Sequence, residues 1–260
     1  MGGLTDIATR SRPKRLKRPW ACFKSGYRRS LKSNRFMNLD CDLSKMGKKW
    51  VSCFDLLGFS NFVRKRGTIE TFTLIRWCLG EADFFARLNK IDFVWFSDTF
   101  IFYTLDDSAD SFCAIADTSY SFFDEAFLAN LPLRGAMAFG EFYPDKANGV
   151  FLGKALVDAY SYGERFNWLG FVHHQSALDQ MKHVGKSISP TYEREWNVPK
   201  KNQNDKESAV AYMIGSNGEW PTTGSNPYLK AIEEMGDAAQ MDEIKYRNTA
   251  EFLRSTYGQP

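Results

Sequence analysis

Residues Ile91 to Thr104 read IDFVWFSDTFIFYT: two runs of β-branched and aromatic residues separated only by Ser97 and Asp98. Runs of this kind across a two-residue break predict a β-hairpin, because each arm can bury alternate side chains while its backbone pairs across the turn. What flanks the hairpin narrows the fold further. Before it, TIETFTLIRWCLGEADFFARLNK carries Ile69, Phe72, Ile75, Leu79 and Phe84 or Phe85 at helical spacing, with Thr68 placed to cap the helix. After it, SADSFCAIADTSYSFFDEAFLAN reads as a second long helix. A strand bounds each helix: KWVSCF before the first, and LRGAMAFGEFY after the second, with glycines where a backbone or ligand can approach closely. The order strand, helix, hairpin, helix, strand predicts an α+β fold of the ferredoxin-like (split βαβ) type, a sheet layered with helices.

Further along, the turn PDKANG leads to VFLG and then to an amphipathic helix, KALVDAYSYGERFNWLG. From Lys182 to Asp205 the chain is polar, contains proline and reads as loop. SAVAYMIG reads as a late strand, and NPYLKAIEEMGDAAQMDEIKYRNTAEFLRSTY as a charged helical extension broken at Gly236. With 260 residues, 43% of them hydrophobic, there is enough apolar surface for one core. The expected organisation is a basic segment over 1–40 and one globular domain, with its helical extension, over 41–260.

The net charge of +3 conceals an asymmetry: from Arg10 to Arg35 there are basic residues and no acidic ones. This segment reads as a solvated tail, or alternatively as a patch for nucleic acid, lipid or an acidic partner. Cys22, Cys41, Cys53, Cys78 and Cys113 are scattered and form no C-x-x-C pair, which points to a reducing compartment. No apolar run is long enough to span a bilayer, and no apolar signal core follows the basic N-terminus. The expectation is a cytoplasmic protein. The spacing of His173, His174 and His183 fits no common zinc motif.

Two aspartates carry the chemistry. Asp55 ends the first apolar run, in FDLLGFS, and Asp98 lies in the hairpin turn. In a ferredoxin-like sheet the first strand is central and pairs with one hairpin arm, so both aspartates reach one edge of the sheet. Converging carboxylates repel unless a cation neutralises them or one is protonated. Magnesium and manganese take oxygen ligands, and a pair of such ions can hold a triphosphate and polarise an attacking hydroxyl. The alternative is two unrelated surface aspartates, Asp55 simply capping the next turn.

FDLLGFSNF resembles the first metal-binding motif of class III nucleotide cyclases, F-x-D-[IL]-x-G-F-[ST], and WFSDTFIFYT resembles their second. LRGAMAFGEFY resembles the family's strand with Arg and a following Gly-x-x-x-Gly, and GVFLGKALVDAYSYGE the segment leading into its dimer-interface helix. The motifs come in family order from Trp50 to Glu164 and are most similar to the bacterial antiphage Pycsar pyrimidine cyclases. The resemblance implies a class III cyclase catalytic domain over 41–260, a phosphorus–oxygen lyase using two Mn²⁺ or Mg²⁺ ions. It implies that Asp55 and Asp98 bind both ions, with the Leu56 carbonyl on one of them. The amides of Leu57, Gly58, Phe59 and Ser60 would hold phosphate oxygens, as helix N-termini do, and Arg134 would bind the triphosphate; its alternative is a strand-end surface arginine. It also implies a homodimer with composite sites, and a cyclic nucleotide product that acts on a separate effector.

The chain departs from the purine cyclases at the base-reading registers, which hold Val94, between Phe93 and Trp95, and Val150. The interface helix has Val157 and Ser161 where the family carries Asn and Arg; Lys154 and Arg165 are the candidate substitutes. The expected reaction is therefore UTP to 3′,5′-cyclic UMP, with CTP to cyclic CMP as the alternative. A catalytically silent nucleotide sensor on the same fold is a rival. So is a nucleic-acid-binding protein using the basic tail, although nucleic acid is not the expected partner. A diguanylate cyclase would carry a G-G-[DE]-E-F hairpin, which this chain lacks.

Overall fold

The computed structural model describes residues 43–86, 90–201, 205–216, 226–239 and 243–257. The chain divides between Cys41 and Asp42, and all of these residues belong to the second unit. The basic stretch 10–35 lies outside them.

Among the described residues a 3₁₀ turn, Leu43–Lys45, is followed by β1 (Gly47–Leu56), α1 (Phe59–Arg66), α2 (Thr68–Ala86), β2 (Ile91–Phe96), β3 (Thr99–Thr104), α3 (Ala109–Leu128) and β4 (Leu133–Asp145). Their strands lie in the order β2-β3-β1-β4, and every neighbouring pair is antiparallel. β3 thus separates β1 from β2, and β1 separates β3 from β4: two interleaved split βαβ units, the ferredoxin-like arrangement. The chain continues through β5 (Val150–Leu152), α4 (Lys154–Arg165), β6 (Phe171–His173), α5 (Gln175–His183), β7 (Glu193–Pro199), β8 (Lys206–Tyr212), α6 (Pro227–Ala239) and α7 (Glu243–Tyr257). β6 joins β4 in parallel, β8 and β7 extend the sheet, and β5 folds back on the end of β4.

Alternation along β1 divides the core. Trp50, Phe54 and Leu56 belong to the large aromatic cluster that includes α2 and α3 residues, whereas Val51 and Cys53 pack with Ala155 and Ala159 of α4 on the opposite face. Phe54 is fully buried, its ring centroid 4.9 Å from Phe171, 5.3 Å from Phe122 and 5.6 Å from Phe102.

Several expectations need correction. Over residues 68–80 the buried stripe of α2 is Thr71, Ile75, Cys78 and Leu79; Ile69 is 83% exposed and Phe72 52% exposed. α2 begins at Thr68 itself, and Gly67, with φ 86°, stands before it. The side chains of Phe84 and Phe85 lie outside the described residues. The helix expected to run on through Phe166 stops at Arg165, because Phe166 turns extended, is wholly buried and bridges to Lys200. β6 and α5 follow, neither expected. The polar stretch 182–205 is not all loop: β7 forms the far edge of the sheet, where one side of a strand faces solvent and charged residues are tolerated. Gly236 does not break the C-terminal region but lies within α6, facing Tyr246 of α7.

α3 presents a buried carboxylate, Asp124, which accepts hydrogen bonds from Tyr212 Oη at 2.6 Å and from the Gly215 amide at 2.8 Å. Burial pushes its carboxyl up to about 7 from an ordinary 3.8, outweighing the downward pull of both hydrogen bonds. The folded chain therefore holds a proton that the unfolded chain releases. This contribution to stability is complete below pH 3.8 and is lost as pH rises through about 7. Asp124→Asn should flatten the fall in unfolding free energy across that window, read as the difference between the two chains in urea titrations at stepped pH. Parallel curves would refute the assignment.

Candidate active site

Asp55 is the penultimate residue of β1, paired across the sheet with Thr99 of β3 on one side and Arg134 of β4 on the other. Directly opposed residues on neighbouring strands project to the same face. Arg134 uses this: its Nη2 and Nε both donate to Asp55 Oδ2, at 2.7 and 3.2 Å. Its side chain is 7% exposed and that of Asp55 23%. Arg134 is thus not a surface arginine. A buried guanidinium requires a partner, and here the carboxylate one strand away supplies it.

The hairpin turn closes the site from the other side. Ser97 takes a left-handed conformation, φ 57°, and the Trp95 indole N–H donates to its carbonyl at 2.6 Å. A non-glycine residue in this region costs about 1–2 kcal/mol, a cost the indole bond helps to offset. The next carbonyl, of Asp98, accepts the Leu56 amide at 2.8 Å. The Asp98 turn is therefore tied to the residue that follows Asp55, and the two aspartates share one end of the sheet.

From Leu56 the chain turns into α1 through Gly58, whose φ 69° and ψ 20° lie where a side chain is strained. Four amides were expected to face an anion here. That of Leu57 is already engaged, donating to the Pro132 carbonyl at 2.9 Å, which corrects that expectation. The amides of Gly58, Phe59 and Ser60 remain as donors at the helix N-terminus, where intrahelical acceptors are lacking.

α4 lies against the face of the sheet that bears Asp55 and Arg134. Ala155, Ala159 and Gly163 recur at four-residue spacing and are buried against this chain's own sheet. At Gly163 the approach is close: an added Cβ would lie 3.0 Å from the Gly135 carbonyl carbon. Ala159 is thus spent within the chain, whereas Val157 and Tyr160 are 61% and 45% exposed. A small recess results, lined by Cys53, Phe54, Asp55, Arg134, Gly135, Tyr160, Gly163 and Glu164. Glu164 Oε1 lies 3.7 Å from Arg134 Nη2 and 3.1 Å from Lys201 Nζ.

The electrostatics limit what these groups can do. Burial, with a smaller push from the Asp55 charge, raises the Cys53 thiol to about 12, so it is no thiolate nucleophile at neutral pH. The Tyr160 phenol is also raised, first by Glu164, then by burial and by Asp55, and stays protonated. Lys201 beside Glu164 lowers the Glu164 carboxyl. The candidate substitutes on α4 point elsewhere: Lys154 pairs with Asp158, and Arg165 makes two bonds to Glu207 at 2.9 and 3.0 Å. Val94 lies half-buried in β2 and Val150 opens β5; neither lines the recess.

Among the described residues no group of three or more His, Cys, Asp or Glu side chains is arranged to hold a metal ion. Asp55 and Asp98, brought to one end of the sheet by the Leu56 amide to Asp98 carbonyl bond, would with the Leu56 carbonyl offer a cation oxygen donors only, a set that suits hard divalent cations. Asp55 is already paired with the Arg134 guanidinium, which carries the same sign of charge as a metal ion and competes with it for the carboxylate. Glu164 and Gly163 were missed as site residues. Their signal was available: 160, 163 and 164 share a helical face, and small residues recur at 155, 159 and 163. No helix among the described residues is long and apolar enough to cross a membrane.

No protein-family model matches the chain, and no curated protein matches it in sequence. Among solved structures it is similar to the catalytic core of a rhodopsin-guanylyl cyclase with converted specificity in complex with ATPαS. That likeness has a TM-score of 0.49 and 11% identity over 65% of this chain and 98% of that one. It is similar also to the guanylate cyclase domain of RhGC from Catenaria anguillulae in complex with GTP, with a TM-score of 0.45 and 11% identity over 64% of this chain and 96% of that one. The adenylyl cyclase CyaB from P. aeruginosa gives a TM-score of 0.44 and 13% identity over 69% of this chain and 99% of that one.

Proposed function

We propose that the chain is a nucleotide cyclase that converts a nucleoside triphosphate into its 3′,5′-cyclic monophosphate and pyrophosphate. One observation carries this reading: Asp55, the Asp98 turn, the start of α1 and Arg134 meet at a single end of a ferredoxin-like sheet. In this reading Asp55, Asp98 and the Leu56 carbonyl hold two Mg²⁺ or Mn²⁺ ions. Bound there, the ions would lower the pKa of the ribose 3′-hydroxyl and neutralise charge on the triphosphate. The amides of Gly58, Phe59 and Ser60 take phosphate oxygens, and Arg134 adds a charged donor. The 3′-oxygen bonds to the α-phosphorus, the bond to the bridging oxygen breaks, pyrophosphate leaves and the hydroxyl proton passes to solvent. No protein nucleophile is required, in keeping with a Cys53 that stays protonated.

The substrate in this reading is a pyrimidine nucleotide, UTP before CTP. Val94 and Val150 offer no side-chain hydrogen bond to a purine edge, and the resemblance to pyrimidine cyclases supports the same choice. The enzyme is a homodimer with composite sites, the exposed Val157 and Tyr160 of α4 facing the partner. Its product would activate a separate effector in antiphage defence. A silent nucleotide sensor is the rival, favoured by the exposed Val157 and Ser161 where an Asn and an Arg would act. The full chain, incubated with each of the four nucleoside triphosphates and Mn²⁺, should release cyclic UMP and pyrophosphate, identified by mass. No cyclic product from any of them would favour the sensor, and a purine product would overturn the substrate assignment.

A further inference from the structure

We propose that Glu164 is a positioning residue: it draws the Arg134 guanidinium away from Asp55 and so sets how tightly Asp55 takes a divalent cation. The inference rests on the reading of Asp55 as a metal ligand.

The four groups form an alternating chain of charge. Asp55 Oδ2 is 2.7 Å from Arg134 Nη2, the same nitrogen is 3.7 Å from Glu164 Oε1, and that oxygen is 3.1 Å from Lys201 Nζ. Arg134 thus stands between two carboxylates and favours Asp55, while Lys201 holds Glu164 from the other side. Its remaining terminal nitrogen, Nη1, is buried and has no hydrogen-bond partner.

A divalent cation on Asp55 and the guanidinium beside it carry like charge, so each weakens the other's hold on the carboxylate. Arg134 has few places to go. Its backbone is fixed in β4 between β1 and β6, and its side chain is 7% exposed. A buried charge that loses its partner is costly unless another is within reach. Glu164 is that partner. α4 is pressed against the sheet at Gly163, which fixes the helix near Arg134, and Glu164, 46% exposed and held at 3.1 Å by Lys201, lies within 3.7 Å of the guanidinium. The guanidinium passes from one carboxylate to the other, and Asp55 is released to the cation.

The test is a titration of the full-length chain with Mn²⁺ alone, free ion being read by electron paramagnetic resonance and folding by circular dichroism. Asp55→Asn should remove the site. Glu164→Gln leaves Arg134 only Asp55 and should weaken Mn²⁺ binding about two- to fivefold, the upper part of the range for an exposed ion pair, while Glu164→Asp should restore most of it. Arg134→Gln should tighten binding, and in that background Glu164→Gln should have no further effect. Lys201→Met, which leaves the buried pair untouched, frees Glu164 for Arg134 and should tighten binding only while Glu164 is present. That arm decides the matter even if Arg134→Gln does not fold. An Asp55-dependent site indifferent to Glu164→Gln, or weakened equally with and without Arg134, overturns the inference and leaves the metal site standing. Mn²⁺ binding that survives Asp55→Asn overturns both.

Discussion

Asp55→Asn should lower cyclic-nucleotide formation at least ~10²–10³-fold, the scale seen when one preorganised electrostatic contact is removed from a reacting centre. The side chain keeps its shape and loses its charge. With it goes one of the two carboxylates proposed to hold a cation. The structure adds a second consequence: Arg134, nearly buried, loses the carboxylate that holds it at 2.7 Å. A hydrogen bond to a charged group is typically worth about 1.5–3 kcal/mol. The lower end applies here, because the amide oxygen can still accept and Glu164 lies 3.7 Å away. The variant should therefore fold, unfold at somewhat lower urea, and make almost no product. Product measured by mass alongside a urea titration checks both parts. Turnover near that of the parent chain would put the reactive centre elsewhere.

Phe54→Ala should be the most damaging single change to stability, costing about 3–5 kcal/mol. Phe54 is fully buried, and its ring centroid lies within 6.5 Å of the rings of Phe102, Phe122, Phe123 and Phe171, so it joins β1 to β3, α3 and β6 at once. Truncation leaves a cavity lined by rigid rings that cannot close in. A domain of this kind is stable by about 5–15 kcal/mol in total, so the loss takes a large share. Because Asp55 follows Phe54 in the same strand, activity should fall as well, through disorder at the end of β1. Phe54→Leu, which fills part of the space, should recover much of the loss. The readout is the urea midpoint at unchanged slope; a shift below about 1 kcal/mol, no more than many surface substitutions, would mean that the aromatic cluster repacks freely.

The split βαβ core was legible in the sequence because its signals are local. The break at Ser97-Asp98, the alternation in IDFVWF and TFIFYT, and the long helical stretches on either side each depend on neighbours a few residues apart. The placement of Asp55 and Asp98 at one sheet end followed from that order alone, and Leu56 N–H to Asp98 C=O now ties them there. What local pattern could not resolve was which apolar residues are buried. On α2, Ile69 and Phe72 fit a helical stripe as well as Thr71 and Cys78 do; the position of α3 and the sheet chose the latter pair. β7 gave no signal because an edge strand can be polar on its open side, and only pairing with β8 makes it a strand. The pairing of Asp55 with Arg134, 79 residues apart, and the arrival of Glu164 beside them depend on strand register and on a helix that touches the sheet through a glycine. Such contacts carry no periodicity along the chain. They exist only once the core has set the distance between β1, β4 and α4.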